Sequence, residues 1–187
     1  SNDITKCINL KFPNLKTKII RISYALNLNN KIKYQKKNLI TYMSRKLPQH
    51  SKLVSNYIKN HLPKSWVLRN IHQLSEKETY SILKKSKIFL AFSSFEGLAL
   101  PPIEAALAEN YVIGYTGEGG EEYWKKPIFT QVNSGNINHF IKSINEKIKF
   151  LKKNNKFPKK KLLNLRNNFS SETETKNIIK FLKFVPK

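Results

Sequence analysis

From residue 38 onward, short apolar runs alternate with longer segments whose apolar residues recur every three or four positions. The runs at 39–43, 66–69, 88–92, 111–115 and 128–132 predict strands, and the segments at 52–61, 76–86 and 102–109 predict helices between them. Residues 88–92 (Ile-Phe-Leu-Ala-Phe) are apolar without a break, the pattern of a strand covered on both faces. Ser75 followed by Glu78 is a capping-box signal for the helix at 76. Strand and helix taking turns in this way predict an α/β fold, a doubly wound parallel sheet of Rossmann-like type with helices on both faces.

Two closing helices follow. Ile137, Phe140, Ile141, Ile144, Ile148 and Leu151 share one face at helical spacing, while Lys142, Lys147, Lys149 and Lys152 lie off it on a face best read as solvated. Ser171 with Glu174 forms a second capping-box pattern, opening a helix that carries Ile178, Ile179 and Leu182. Ahead of the alternation, residues 18–26 have strand composition and 27–37 read as a polar link rich in Asn and Lys. The chain therefore divides into a segment at 1–37 and an α/β domain at 38–187.

A length of 187 residues is enough for one domain with a real core. The start, Ser1-Asn2-Asp3, has no initiator methionine, signal peptide or apolar run of membrane length, and reads as an internal start in a longer cytoplasmic protein. A formal net charge of +23 attracts phosphate in any form, whether nucleic acid or an anionic membrane surface. All but four of the 35 basic residues are lysines, however, and no arginine cluster with stacked aromatics appears. Specific nucleic acid binding is not expected, and peripheral contact with the inner face of an anionic membrane stays open. Cys7 is the only cysteine, so no disulfide forms within the chain. His50, His61, His72 and His139 lack ligand spacing, and no metal site is expected.

The candidate chemistry follows the strand at 88–92. Glu96 and Glu104 flank seven residues that include Gly97 and the pair Pro101-Pro102. Glu96 falls at a strand's carboxyl end, and Glu104 is expected in the first turn of the next helix. Ligands of open parallel sheets bind outside the carboxyl ends of the strands, and a helix start favours anions. Two carboxylates beside such a site suit a sugar nucleotide, gripping hydroxyls while the helix start faces the diphosphate. The later run Gly117-Glu118-Gly119-Gly120-Glu121-Glu122 lacks the third glycine of a dinucleotide fingerprint, and no P-loop lysine is present.

The stretch Phe95-Glu96-Gly97-Leu98-Ala99-Leu100-Pro101-Pro102-Ile103-Glu104-Ala105-Ala106 resembles the donor-binding signature of retaining GT-B glycosyltransferases, over about residues 38–187. The resemblance implies the carboxyl-terminal half of a two-domain enzyme of polysaccharide biosynthesis, with residues 1–37 an interdomain segment or remnant of a missing N-terminal domain. It implies a nucleotide-sugar substrate with no cofactor or metal, Glu96 as the catalytic carboxylate beside the donor sugar, and Glu104 on the ribose. Gly97, Leu98, Ala99 and Leu100 would hold the diphosphate with Arg45 and a lysine, Lys46 or Lys52. The sequence departs from the family's pattern here, with Ser44 where a glycine usually precedes the arginine and His50 where the lysine usually stands. Asn70 and Ile71 fall where the base would rest, and His72 reads as an ordinary loop histidine. The alternative from another class is a noncatalytic nucleotide-sugar or polyanion binding module; a related nucleotide-sugar enzyme such as an epimerase is a third reading.

Overall fold

The computed structural model describes residues 2–15, 34–154 and 156–183. Among them, five parallel strands form one sheet in the order β2-β1-β3-β4-β5, comprising β1 (Leu39–Tyr42), β2 (Val67–Asn70), β3 (Ile88–Phe92), β4 (Tyr111–Tyr115) and β5 (Phe129–Gln131). Helices α2 (Pro48–His61) and α5 (Ile137–Lys153) pack on one face, and α3 (Glu76–Lys85), α4 (Leu100–Leu107) and α6 (Leu163–Asn168) lie on the other. A 3-10 turn (Lys159–Leu162) leads into α6, and α7 (Ser171–Leu182) closes the described chain. At the other end stands α1 (Asn2–Lys11), which the apolar pattern did not announce. The strand expected at 18–26 lies outside the described residues.

Alternation along β3 shows why the run at 88–92 had to be apolar throughout. Phe89 and Ala91 enter the core under α3 and α4, whereas Ile88, Leu90 and Phe92 enter the one under α2 and α5. Phe140 of α5 is fully buried and stacks on Phe92 at 5.0 Å between centroids. Truncating such an aromatic costs about 3 to 5 kcal/mol. Lys147, expected in solvent, instead covers the Tyr111 ring with its ammonium 4.2 Å from the centroid.

The amino end of the sheet is tied by polar groups at two helix ends. Lys36 Nζ donates to the carbonyls of Leu83, Ser86 and Ala108, and Asn110 Nδ2 donates to Leu83, Ala105 and Ala108. These are the last carbonyls of α3 and α4, which a helix cannot satisfy internally. The capping box at Ser75 and Glu78 is present with both of its hydrogen bonds. The cap of α7 is Ser170, one residue earlier than expected, because its hydroxyl accepts the Thr173 amide and leaves Ser171 as the first helical residue. α2 also begins earlier, since Pro48 fits a first helical position, where no internal hydrogen bond is lost.

Candidate functional site

Because α2 leaves β1 toward one face and α4 leaves β3 toward the other, the connections part at the carboxyl ends of β1 and β3. That parting is the switch point at which this strand order opens a crevice. A cavity of about 260 Å³ occupies it. Met43, Arg45 and Lys46 line it from the loop after β1, Ile71, His72, Gln73 and Leu74 from the loop after β2, and Ser93 and Glu96 from the loop after β3. Phe89, Leu90, Ala91 and Phe92 of β3, Thr79 of α3 and the two prolines of α4 complete the wall.

Glu96 is held by backbone as well as by charge. Its amide donates to the Gly117 carbonyl at 3.0 Å, and the Gly119 amide donates to the Glu96 carbonyl at 3.1 Å, forming a bridge between the loops after β3 and β4. Only glycine allows this approach at 119, where a side chain would run into the carbonyl oxygens of Glu96 and Gly97. The Glu96 carboxylate is 17% exposed and lies 3.9 Å from the Lys46 ammonium.

Between Glu96 and the helix lies a turn whose amides at Gly97, Leu98, Ala99 and Leu100 meet no backbone acceptor among the described residues. Pro101 and Pro102 carry no N–H, so these four amides are what the start of α4 offers an anion. The side chains of Leu98 and Leu100 pack on the core, and Ala99 is buried. The turn is anchored by Tyr123, whose hydroxyl donates to the Ala99 carbonyl at 2.8 Å. Burial pushes that phenol's pKa far upward, with Glu96 and Glu122 adding, so it remains a donor.

Glu104 sits in the second turn of α4. The expected first-turn position is corrected because the helix starts at Leu100, with both prolines inside its first turn. Its side chain is half-buried and no partner among the described residues engages it. Burial raises its pKa above the usual carboxylate range, and the Glu76 carboxylate raises it further.

Of the residues singled out by sequence, Arg45, Lys46, Ile71 and Glu96 line the cavity together, whereas Gly97, Leu98, Ala99 and Leu100, between Glu96 and the lining prolines, are not on its wall. Lys52 is exposed on α2 and Glu104 stands behind the prolines, neither on the lining. Asn70 is the last residue of β2, and its amide donates to Ser44 Oγ at 3.1 Å, tying the loops after β1 and β2. Sequence reasoning missed Met43, Gln73, Leu74 and Thr79, and set His72 aside although it lines the cavity. Gln73 has a positive φ of 51°, a strained backbone at the cavity wall that no residue type announces.

No family model and no curated protein matches this sequence. Solved structures do match. The pneumococcal O-GlcNAc transferase GtfA in complex with UDP and GlcNAc aligns over 97% of this chain and 43% of its own, with a TM-score of 0.61 at 16% identity. A GtfA/B complex aligns over 98% and 44% (TM-score 0.57, 14% identity), and TarM over 88% and 38% (TM-score 0.56, 16% identity). At these identities the likeness is one of fold, and the chain spans less than half of each structure. It bears out the doubly wound, Rossmann-like half of a GT-B fold expected from residues 95–106.

Proposed function

We propose that this chain is the donor-binding domain of a retaining glycosyltransferase that transfers a sugar from a nucleotide-activated donor. The observation that carries this reading is the switch-point cavity, where Arg45 and Lys46 face the largely buried carboxylate of Glu96 next to a turn, 97–100, whose amides meet no backbone acceptor among the described residues. A diphosphate bearing two or more negative charges needs that positive wall. Its leaving-group charge grows as the sugar bond breaks, so fixed donors there stabilise the transition state more than the ground state. Arg45 offers a planar fork for two phosphate oxygens, and Lys46 a point charge. Glu96, freed from Lys46 by the phosphate, accepts hydrogen bonds from donor-sugar hydroxyls next to the reacting carbon. Glu104 takes the ribose, and the segment from Asn70 to Leu74 takes the base.

Residues 1–37 are read as the interdomain segment, and the acceptor and the rest of the cleft are assigned to an N-terminal domain outside this chain. Charge neutralisation is assigned to Arg45, Lys46 and the amides, without a metal. No helix among the described residues is long and apolar enough to cross a membrane. We place the enzyme in the cytoplasm, with the lysine-rich surface available to an anionic membrane.

Calorimetric titration with UDP, ADP and GDP tests the reading. The domain should bind at least one of them, with Arg45→Ala weakening it. Failure to bind any of the three at millimolar concentration would overturn the assignment.

A further inference from the structure

The helices on the two faces of the sheet differ in charge. α3 and α4 carry three lysines against three glutamates, and in the 3-10 turn and α6 beside them Lys159 and Arg166 are drawn onto Glu109. α2 and α5, on the other face, carry seven lysines against one glutamate, Glu146. A lysine-rich composition by itself would load both pairs of helices alike. Cations in the last turn of a helix complement its dipole, which accounts for Lys59, Lys152 and Lys153. It does not account for Lys142 and Lys149, two turns apart on the exposed side of α5.

Apolar surface lies open beside these lysines. Leu53 is 59% exposed, and Tyr57, one turn further along α2, is 42% exposed although its ring stacks on His61. A groove of about 450 Å³ lies between Tyr57 and α5, where Ile141, Lys142, Asn145, Glu146 and Lys149 line it. The face is also set apart from the switch-point cavity. Phe140 of α5 meets Phe92 and Tyr115 at the carboxyl ends of β3 and β4, whereas Phe150 meets Tyr111 at the amino end of β4. α5 therefore runs away from the cavity, as α2 does in returning from β1 to β2.

A partner for this face must meet cationic and apolar groups together. Nucleic acid answers the lysines but leaves Leu53 in water. A bilayer with anionic lipids offers phosphates to the lysines and an apolar layer just beneath to Leu53 and Tyr57. We propose that the α2–α5 face docks on an anionic lipid bilayer, with Leu53 and Tyr57 entering the headgroup layer beside Lys142 and Lys149. This assigns the membrane contact of the proposed enzyme to one surface, and its biological role rests on that reading, but lipid binding is measured apart from nucleotide binding.

Co-sedimentation of this chain with vesicles of phosphatidylcholine alone, and of phosphatidylcholine with an equal share of phosphatidylglycerol, tests it. The chain should sediment with the second and stay in solution with the first. Lys142→Gln combined with Lys149→Gln should weaken binding at least about tenfold. Lys77→Gln combined with Lys161→Gln removes the same charge from the other side of the sheet and should change binding by less than about twofold, because distant charges are screened by salt. Tyr57→Trp should show fluorescence quenched by lipids brominated in their acyl chains more strongly than the parent, whose Trp66 and Trp124 are buried. All five positions are exposed, so the core is left intact. Absence of sedimentation with anionic vesicles, equal loss in the two double variants, or no added quenching would overturn the docking face. Binding of single-stranded RNA through Lys142 and Lys149 without vesicle binding would overturn it too. UDP binding retained in any of these cases leaves the donor reading standing. Vesicle binding through this face by a chain that binds no nucleotide would support the face and sink the donor reading.

Discussion

The Lys46 ammonium stands 3.9 Å from the Glu96 carboxylate, across the mouth of the cavity between the loops after β1 and β3. At that distance, with Lys46 half-exposed, the pair contributes little to stability. In the donor-binding reading its value is positional, because it would hold a phosphate-seeking cation and a hydroxyl-accepting carboxylate where one ligand meets both.

Lys46→Ala should therefore weaken UDP binding about tenfold, since a hydrogen bond to a charged group contributes about 1.5 to 3 kcal/mol. Lys52→Ala, on the exposed side of α2 and off the cavity, should leave it unchanged. Arg45→Ala should weaken UDP far more than uridine, because the contact assigned to it is with phosphate alone. Calorimetry on the three variants decides between the two lysines. Equal loss for uridine and UDP would mean that Arg45 acts through the fold.

Glu104→Gln should separate stability from binding. Its carboxyl is raised by burial first and Glu76 second, so the folded state holds the proton at a pH where the unfolded chain has released it. The resulting penalty is absent below 4.5, grows as pH rises through the window above it, and is complete once the folded group has ionised. Removing the charge at pH 7 should leave the melting temperature equal or higher, while UDP binding weakens because a carboxylate acceptor for the ribose is lost. A variant that binds UDP as tightly as the parent would remove Glu104 from the site.

The limits of the strands were readable where both faces of the sheet are covered. The segments 88–92 and 111–115 match β3 and β4 residue for residue because every position in both strands is buried, which keeps charged residues out of them. Helix starts were harder. Pro101 and Pro102 look like breakers but sit where a first turn needs no amide, and Ser170 and Ser171 are both credible caps one residue apart. Glu96 was legible because its neighbours form a contiguous pattern. The wall made by Met43, Gln73 and Thr79 comes from three separate segments, and only the strand order β2-β1-β3 brings them to one crevice.

Lys36 should give the domain a pH signature. Burial brings its ammonium down to about 7, with Glu109 opposing and Lys159 assisting. Below that pH both folded and unfolded chains carry the proton, and folding bears the full cost of burying the charge. Between about 7 and 10.5 the folded state sheds a proton that the unfolded chain retains, so stability rises with pH, by at most about 1.4 kcal/mol per unit. Urea unfolding at pH 7, 8 and 9 should show this slope in the parent and its loss in Lys36→Met. Parallel slopes in the two proteins would mean that Lys36 keeps its charge on the carbonyls of α3 and α4.

This chain alone should bind a nucleotide yet transfer no sugar. It spans 38 to 44% of the three solved structures it resembles, and the cavity proposed for the donor is lined, among the described residues, by one end of a single sheet and its flanking loops and helices. Much of the rate in group transfer comes from fixing both reactants and excluding water, which a one-sided crevice cannot do. Incubation with UDP-glucose and UDP-N-acetylglucosamine, with methyl glycosides as acceptors, should give neither transfer product nor appreciable hydrolysis by mass spectrometry. The same assay with the chain joined to the N-terminal domain proposed above should give product. Robust transfer by residues 1–187 alone would place the whole reaction within this sheet edge and end the reading of the chain as half of a cleft.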